Sequence, residues 1–286
     1  GIRNMNHLKL MLLILLMLVM LGFEPLAGQK ARQIYTGKSD ISSDARWATE
    51  SDFDGSLVFC RGYYTQNRLE EGSWGWFVDY PGADYNILIR IGELTKTRVR
   101  LDSNGKPIHV VVRLDSQLIF NCPVVFMSEV GTINLTEREI INLRLYFKKG
   151  GFLWVDDFWG SESWKQWEQQ IRQVLPANLY PMIDIPATHP IRNTLFDIHE
   201  IPQVPTIGFW YSTNGQTSER GEDSKEVHFR GIEDKKGRLI AVMTHNTDIA
   251  ETWETEGSDK NGRFFYKFSP DGYGLGINIF LYALTQ

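Results

Sequence analysis

Two adjacent carboxylates, Asp156 and Asp157, directly follow the run Phe152 to Val155, whose apolar residues are typical of a buried strand. Carboxylates at the end of a strand can bind a hard cation or transfer protons. Because neighbouring strand residues point to opposite faces of a sheet, we expect only one of the two to face a given site. The alternative is structural: one carboxylate caps the next helix and the other is solvated. The sequence leaves both interpretations open.

A second polar group, His245-Asn246-Thr247-Asp248, follows the apolar run Leu239 to Met243. His245 is a candidate base or metal ligand, and Asp248 could orient it or bind the same ion. A turn closed by the side chains of Asn246 and Asp248 explains the same residues without chemistry. The sequence favours this turn, but the place of the group after a strand keeps His245, Asn246 and Asp248 as candidates.

A third candidate is His189, which precedes Pro190 in the proline-rich stretch 178–205. A residue before proline is held extended, so its ring could face a crevice, although a surface position is an equal alternative. The chain has neither a His-x-x-x-His nor a Cys-x-x-Cys pattern, and we therefore expect no dedicated zinc site. One divalent cation remains a candidate cofactor.

The segment from Trp76 to Asn86 (WFVDYPGADYN) combines aromatic rings, acids and an amide. Aromatic faces can stack on a sugar while carboxylates accept hydrogen bonds from its hydroxyl groups. The candidate ligand-binding residues here are Trp76, Asp79, Asp84 and Asn86. A Pro-Gly turn that leads into a helix explains the same segment structurally.

Composition excludes some classes of function. The 286 residues are 42% hydrophobic and 13% aromatic, which excludes an intrinsically disordered chain. The net charge is −5 and no basic run occurs, so nucleic-acid binding has no support. A Gly-x-Ser-x-Gly nucleophile elbow, a dinucleotide-binding glycine motif and a Walker phosphate loop are also missing from the sequence.

The elements that would position these residues alternate between strand and helix. Thr136 and Glu139 form a capping box at the start of a predicted helix, which Gly150 ends just before the strand at Phe152. Further apolar runs predict strands at 56–64, 109–114, 124–127 and 239–243, and helices are predicted after residues 79 and 161 and at 276–284. This order predicts a doubly wound, mostly parallel α/β sheet with ligands at the carboxyl ends of its strands.

The chain divides into three predicted segments. Residues 1–28 contain a basic start and an apolar run, which predict a signal peptide or N-terminal anchor and an exported, periplasmic or secreted protein. Residues 29–54 are a polar arm or linker, and residues 55–286 are a single α/β domain. Cys60 and Cys122 either pair in an oxidising compartment or remain two buried thiols, and the sequence leaves this open.

Four stretches taken together resemble the bacterial domain-of-unknown-function family 4159: WFVDYPGADYN, LTEREIINLRLYFKKGGFLWVDDFWG, the His189-Pro190 pair and GRLIAVMTHNTD. The resemblance implies a branch of the class I glutamine amidotransferase-like superfamily, a three-layer flavodoxin-like fold. Such relatives carry a catalytic cysteine on the turn after a strand. Here that turn carries Asp156, Asp157 and Phe158, so glutaminase-type nucleophilic catalysis is not expected.

These observations favour an exported domain whose carboxylate-rich crevice binds, and if it is an enzyme hydrolyses, a small polyol or glycan. Asp156, Asp157, His189, His245 and Asp248 would do the chemistry. The alternative is a non-catalytic interaction module of a cell-envelope assembly, with an envelope protein as its partner and a vestigial crevice. In either case, membrane contact would be limited to the N-terminal segment.

Overall fold

The computed structural model describes residues 45–69, 73–259 and 261–286. The predicted signal peptide, residues 1–28, and most of the polar arm lie outside the described residues. Within the described ranges, no helix has the length and hydrophobicity needed to cross a membrane.

Seven strands form one mixed sheet in the order β2-β1-β3-β4-β7-β6-β5. The first five strands in this order run parallel, and β6 pairs antiparallel with both β7 and β5. The carboxyl ends of β1, β3, β4 and β7 therefore meet at one edge. The strands are β1 (Phe59–Tyr63), β2 (His109–Arg113), β3 (Val124–Ser128), β4 (Phe152–Phe158), β5 (Met182–Asp184), β6 (His228–Glu233) and β7 (Leu239–His245).

Helices cover both faces of this sheet because its central strands are apolar on both sides. Phe126 and Trp154 face one core, against α1, α5 and α6, whereas Val125 and Val155 face the other, against α2 and α3. The part of the chain that the structure describes has six α-helices: α1 (Gly82–Leu94), α2 (Glu137–Lys148), α3 (Gly160–Val174), α4 (Ile207–Ser212), α5 (Glu251–Glu254) and α6 (Arg263–Leu284).

The unit of α2 and β4 forms as the sequence predicts. The Thr136 hydroxyl accepts a hydrogen bond from the Glu139 N–H, and the Glu139 carboxylate accepts one from the Thr136 N–H at 2.8 Å. Gly150, with φ +93°, then reverses the chain into β4. This short connection places the end of β4, with Asp156 and Asp157, at the carboxyl edge.

The seven-stranded, mostly parallel sheet with its helices confirms the α/β prediction at this level, and the flavodoxin-like classification stays a prediction.

The structure also decides between a disulfide and two buried thiols. Cys60 and Cys122 form a disulfide with a Cα–Cα distance of 6.0 Å, which joins β1 to the segment that enters β3.

Candidate functional site

The loops that follow β3, β4 and β7 meet at the carboxyl edge because these strands are neighbours. The N–H of Glu129, just after β3, donates to the carbonyls of Asp156 and Asp157, and the Asp157 N–H donates to the Thr247 carbonyl. The two runs that the sequence singled out, at the ends of β4 and β7, therefore lie side by side.

The backbone of these loops is unusual. Asp79, Glu129, Asp157 and Asn246 have φ between +53° and +62°, the left-handed region that non-glycine residues seldom occupy. Such a conformation costs on the order of 1 kcal/mol or more and persists only where the surroundings enforce it. Four of them at one edge indicate that tertiary contacts, rather than local preference, set the positions of these side chains.

Five buried carboxylates gather at this edge, and we call them the acid cluster: Asp79, Asp156, Asp157, Asp248 and Glu251. One ligand oxygen each from Asp79, Asp248 and Glu251 lies within 4.8 Å of the other two. Asp248 precedes α5, where its Oδ1 accepts a hydrogen bond of 2.9 Å from the Glu251 N–H. The end of β7 and the start of α5 thus bring Asp248 and Glu251 together.

Burial and mutual repulsion hold these groups toward their neutral form. Burial raises the pKa of Asp248, and the charges of Asp157, Asp79 and Glu251 raise it further. The pKa of Asp79 is raised by burial and then by Glu251 and Asp157. Burial also raises the pKa of Glu251, to about 8. These raised pKa values mean that the acid cluster carries fewer than five negative charges at neutral pH.

Asp156 connects the elements of the site. Its Oδ1 accepts a 2.5 Å hydrogen bond from the Thr244 hydroxyl, and its Oδ2 accepts one of 2.9 Å from the Ala250 N–H. Burial raises its pKa to about 7. Because both oxygens are engaged, Asp156 fixes β4 against β7 and the loop that carries Asp248.

Asp157 is oriented by a neighbouring indole ring. Its Oδ1 accepts a hydrogen bond of 2.8 Å from the Trp159 indole N–H. Burial raises its pKa, followed by the charges of Glu129, Glu219 and Asp156. The carboxylate is thus oriented by one neutral donor and surrounded by acids.

Three half-buried glutamates act electrostatically on the acid cluster, and we call them the rim acids: Glu129, Glu219 and Glu254. Glu129 Oε2 accepts hydrogen bonds from the Ser73 hydroxyl at 2.6 Å, from the Trp74 N–H at 2.7 Å and from the Gly75 N–H. Glu219 Oε1 accepts one of 2.7 Å from the Thr206 N–H. Glu129 and Glu219 thus hold loops from separate parts of the chain around the cluster.

His245 does not join this group. Its ring lies between Phe158, Trp164 and His228, at centroid distances of 4.8, 5.2 and 5.5 Å. Its Nε2–H donates to the Gly160 carbonyl at 3.0 Å, and burial lowers its pKa to about 4. The preceding Thr244 faces Asp156, so strand alternation turns His245 to the opposite face of β7.

His189 is also remote from the acid cluster. Its Nδ1 accepts a hydrogen bond of 3.2 Å from the Ile191 N–H, where it caps a short 3₁₀ turn. Its ring contacts Tyr282, which packs against Phe152 at the start of β4. The cluster lies at the other end of β4.

The other predicted ligand-binding residues, apart from Asp79, have structural contacts. Trp76 is buried among Trp47, Tyr63 and Tyr80. Asp84 forms a fully buried ion pair with Arg61, at 2.5 Å. The two amides tie elements together: Asn86 donates to the Trp253 carbonyl, while Asn246 accepts from the Gly160 N–H and donates to the Glu226 carbonyl.

The structure thus brings together Asp79, Asp156, Asp157 and Asp248 and adds Glu251, which the sequence analysis missed. A local signal for Glu251 was present. Asp248 followed three residues later by Glu251 is the spacing of a capping box, which predicts a helix start directly after the polar group. Glu129 and Glu219 come from distant loops and leave no such pattern.

A family model described as "Domain of unknown function (DUF4159)" matches residues 67–284. The match includes every member of the acid cluster and all three rim acids. No protein of curated function matches the chain.

Proposed function

We propose that this chain, which belongs to the DUF4159 family, binds a small polyol or glycan at the acid cluster and hydrolyses it. The observation that carries the proposal is the convergence of buried carboxylates with raised pKa values at the carboxyl edge, where Asp157 is held by Trp159. Buried acids with perturbed pKa values are typical of sites that transfer protons.

In this reaction Asp157 acts as the base in those molecules in which it is ionised, while another member of the acid cluster keeps its proton. Asp157 takes a proton from a water molecule, and the water oxygen forms a bond to the carbon under attack. The bond from that carbon to the leaving oxygen breaks, and this oxygen receives a proton from a neutral carboxyl of the acid cluster. His245 has no part, because it lies on the other face of β7 among aromatic rings.

The rim acids support binding of hydroxyl groups. The rim acids are half-buried, so part of each residue reaches solvent, and a carboxylate can accept hydrogen bonds from the hydroxyl groups of a polyol. Trp74 lies two residues before Trp76, and its N–H donates to Glu129. Trp74 is half-buried, whereas Trp76 is buried in the core. We therefore assign the aromatic platform for a sugar to Trp74 in place of Trp76.

One observation favours the alternative, a non-catalytic interaction module of a cell-envelope assembly. The turn after β4 has no cysteine, serine or threonine before Ser161, so it lacks a covalent nucleophile. Separate carboxylates, each bonded to the backbone, would fit such a module. The approach of Asp79, Asp248 and Glu251 to within 4.8 Å supports the hydrolytic site instead.

Two broader proposals accompany this function. The Cys60–Cys122 disulfide supports an oxidising location and therefore an exported protein, periplasmic or secreted. The parallel order β2-β1-β3-β4-β7 with helices on both faces supports a flavodoxin-like fold and the class I glutamine amidotransferase-like superfamily.

The decisive experiment compares the full chain with Asp157→Asn on a panel of p-nitrophenyl glycosides. We expect the wild type to release nitrophenol from at least one glycoside and the variant to lose about 100-fold or more in kcat/KM, as is typical when a general base is removed. Asp271→Asn, an exposed carboxylate on α6, is the matched control and should stay active. A panel without any turnover, or an active Asp157→Asn, would refute the proposal.

A further inference from the structure

We infer that Asp79, Asp248 and Glu251 form a binding site for one Ca²⁺ ion. We call these three residues the cation triad. The inference deepens the proposed function, on which it rests for its place in the reaction, because it names the ion of the same site. Cation binding itself can be measured without any glycan.

The first argument is geometric. One oxygen from each member of the cation triad lies within 4.8 Å of the others. Oxygens that bind Ca²⁺ lie 2.3–2.6 Å from the ion, so two ligands of one ion are at most about 5 Å apart. The three oxygens can therefore reach a single Ca²⁺ together, and water or the hydroxyl groups of a polyol can complete its shell of six to eight ligands.

The second argument comes from oxygen atoms whose bonding is incomplete. Asp248 Oδ1 accepts a hydrogen bond from the Glu251 N–H, but Asp248 Oδ2 is buried and has no hydrogen-bond partner among the described residues. Asp79 Oδ2 is in the same condition. A buried oxygen without a partner costs free energy, and more if it is charged. A cation that these two oxygens bind would satisfy both atoms.

The third argument is electrostatic. The charges of Asp157, Asp79 and Glu251 all act on Asp248, and Glu254 adds to the charge around Asp79. Arg61 opposes this at Asp79, but its guanidinium is already bound to Asp84. A divalent ion is the compact charge that balances such a group.

The ligand chemistry selects the ion. All three donors are carboxylate oxygens, which suit hard cations rather than zinc. Mg²⁺ keeps several waters and is usually held by one or two carboxylates, whereas Ca²⁺ accepts a larger and more variable set of oxygens. Three converging carboxylates at the start of α5 therefore favour Ca²⁺ over Mg²⁺.

The test titrates EDTA-treated, dialysed full-length chain with CaCl₂ alone, by calorimetry and by thermal unfolding. We expect one Ca²⁺ per chain and a rise in melting temperature of about 5–10 °C at 100 times the Kd. MgCl₂ should bind at least about tenfold more weakly. No heat and no thermal shift with CaCl₂, or equal binding of MgCl₂, would overturn the inference.

Variants separate a cation site from a structural cluster. Asp248→Asn and Glu251→Gln should lose the Ca²⁺-induced rise in melting temperature, while Asp271→Asn keeps it. In EDTA, Asp248→Asn should be about as stable as the wild type, because the amide oxygen can still accept the hydrogen bond from the Glu251 N–H. If Asp248→Asn binds Ca²⁺ like the wild type, the inference is overturned. If a variant misfolds, the titration of the wild type with CaCl₂ decides whether the cation site exists.

Asp157→Asn distinguishes this inference from the proposed function. Asp157 is outside the cation triad, so this variant should still bind one Ca²⁺ while it loses glycoside hydrolysis. Ca²⁺ binding by a wild type that hydrolyses no glycoside would support the cation site and refute the hydrolase. A wild type that hydrolyses a glycoside without binding Ca²⁺ would support the hydrolase and refute the cation site.

Discussion

Asp156 and Asp157 are neighbours in sequence, yet Asp156 has both oxygens bound to Thr244 and Ala250, while Asp157 is held by Trp159 and surrounded by acids. His245 shows most clearly that the environment of a side chain decides its role more than its type. Its place after a strand predicted a base, but its packing among aromatic rings keeps it neutral.

This packing predicts a pH dependence of stability. The pKa of His245 is about 4 in the folded chain and 6.5 as an ordinary value, so between these pH values the unfolded chain binds more protons. Its contribution to stability is complete above pH 6.5 and is lost as the pH falls toward 4, by about 2 kcal/mol between pH 7 and pH 5. His245→Phe should lack this loss when its urea unfolding is measured at both pH values.

Comparison with the wild type isolates the histidine, because the acid cluster contributes equally to both proteins. Its raised pKa values act in the opposite direction and cancel in the difference. His199→Gln, a substitution of a histidine with 81% of its side chain exposed, is the control and should follow the wild type. Equal pH dependence of His245→Phe and wild type would show that burial does not suppress protonation of His245.

At the scale of elements, the sequence predicted what depends on local pattern. The capping box at Thr136, the turn at Gly150 and the apolar runs of β4 and β7 are each readable within about ten residues. Strand β6 was missed because its sequence, HFRGIE, is only partly buried and has no continuous apolar run. Asp79, Asp157 and Asp248 were predictable from their positions near strand and helix ends.

The rest of the site depends on contacts between distant elements, which a local pattern cannot carry. Glu129 follows β3, Glu219 comes from a polar loop and Glu254 from α5, and only the folded sheet brings them to one edge. His245 was assigned to the site because the sequence did not show how far β7 continues. Since β7 includes residue 245, strand alternation turns this side chain away from Thr244 and the acid cluster.

The close packing of α5 on α6 gives an element-scale prediction. A Cβ added at Gly272 of α6 would lie 2.1 Å from Thr252 Oγ1 and 2.7 Å from Thr252 Cβ, next to Glu251. Gly272→Ala should therefore push α5 away and lower the free energy of unfolding by about 1–3 kcal/mol. It should also weaken Ca²⁺ binding, because Glu251 moves with α5. Chemical denaturation and calorimetry measure the two effects.

Gly208 in α4 provides the matched control. A Cβ there would meet nothing within 4 Å in the described part of the chain, so Gly208→Ala should be neutral or gain up to about 1 kcal/mol from helix propensity. Gly272→Ala with the stability and Ca²⁺ affinity of Gly208→Ala would mean that the contact between the two helices does not position Glu251.

At the scale of the whole molecule, the disulfide and the acid cluster lie at different positions along the strands of the sheet. The acid cluster follows the carboxyl ends of the strands, whereas the disulfide joins Cys60, within β1, to Cys122, which lies before β3 begins. The ladder between β1 and β3 is short, with Cys60 opposite Val125 and Arg61 opposite Phe126. The disulfide thus reinforces a strand pair at a distance from the site.

This separation predicts that loss of the disulfide lowers stability and leaves the site intact. The bond spans 62 positions of sequence, and the loss of a loop of that size lowers the free energy of unfolding by about 4 kcal/mol. The double variant Cys60→Ala/Cys122→Ala should therefore unfold at a lower urea concentration, and dithiothreitol should lower the midpoint of the wild type but not of the variant.

While folded, the variant should bind Ca²⁺ with unchanged affinity, because the residues of the cation triad lie in α5 and in the loops before α1 and α5 rather than in the bonded segment. A joint loss of stability and Ca²⁺ affinity in the folded variant would instead mean that β1 and β3 transmit their packing to the carboxyl edge.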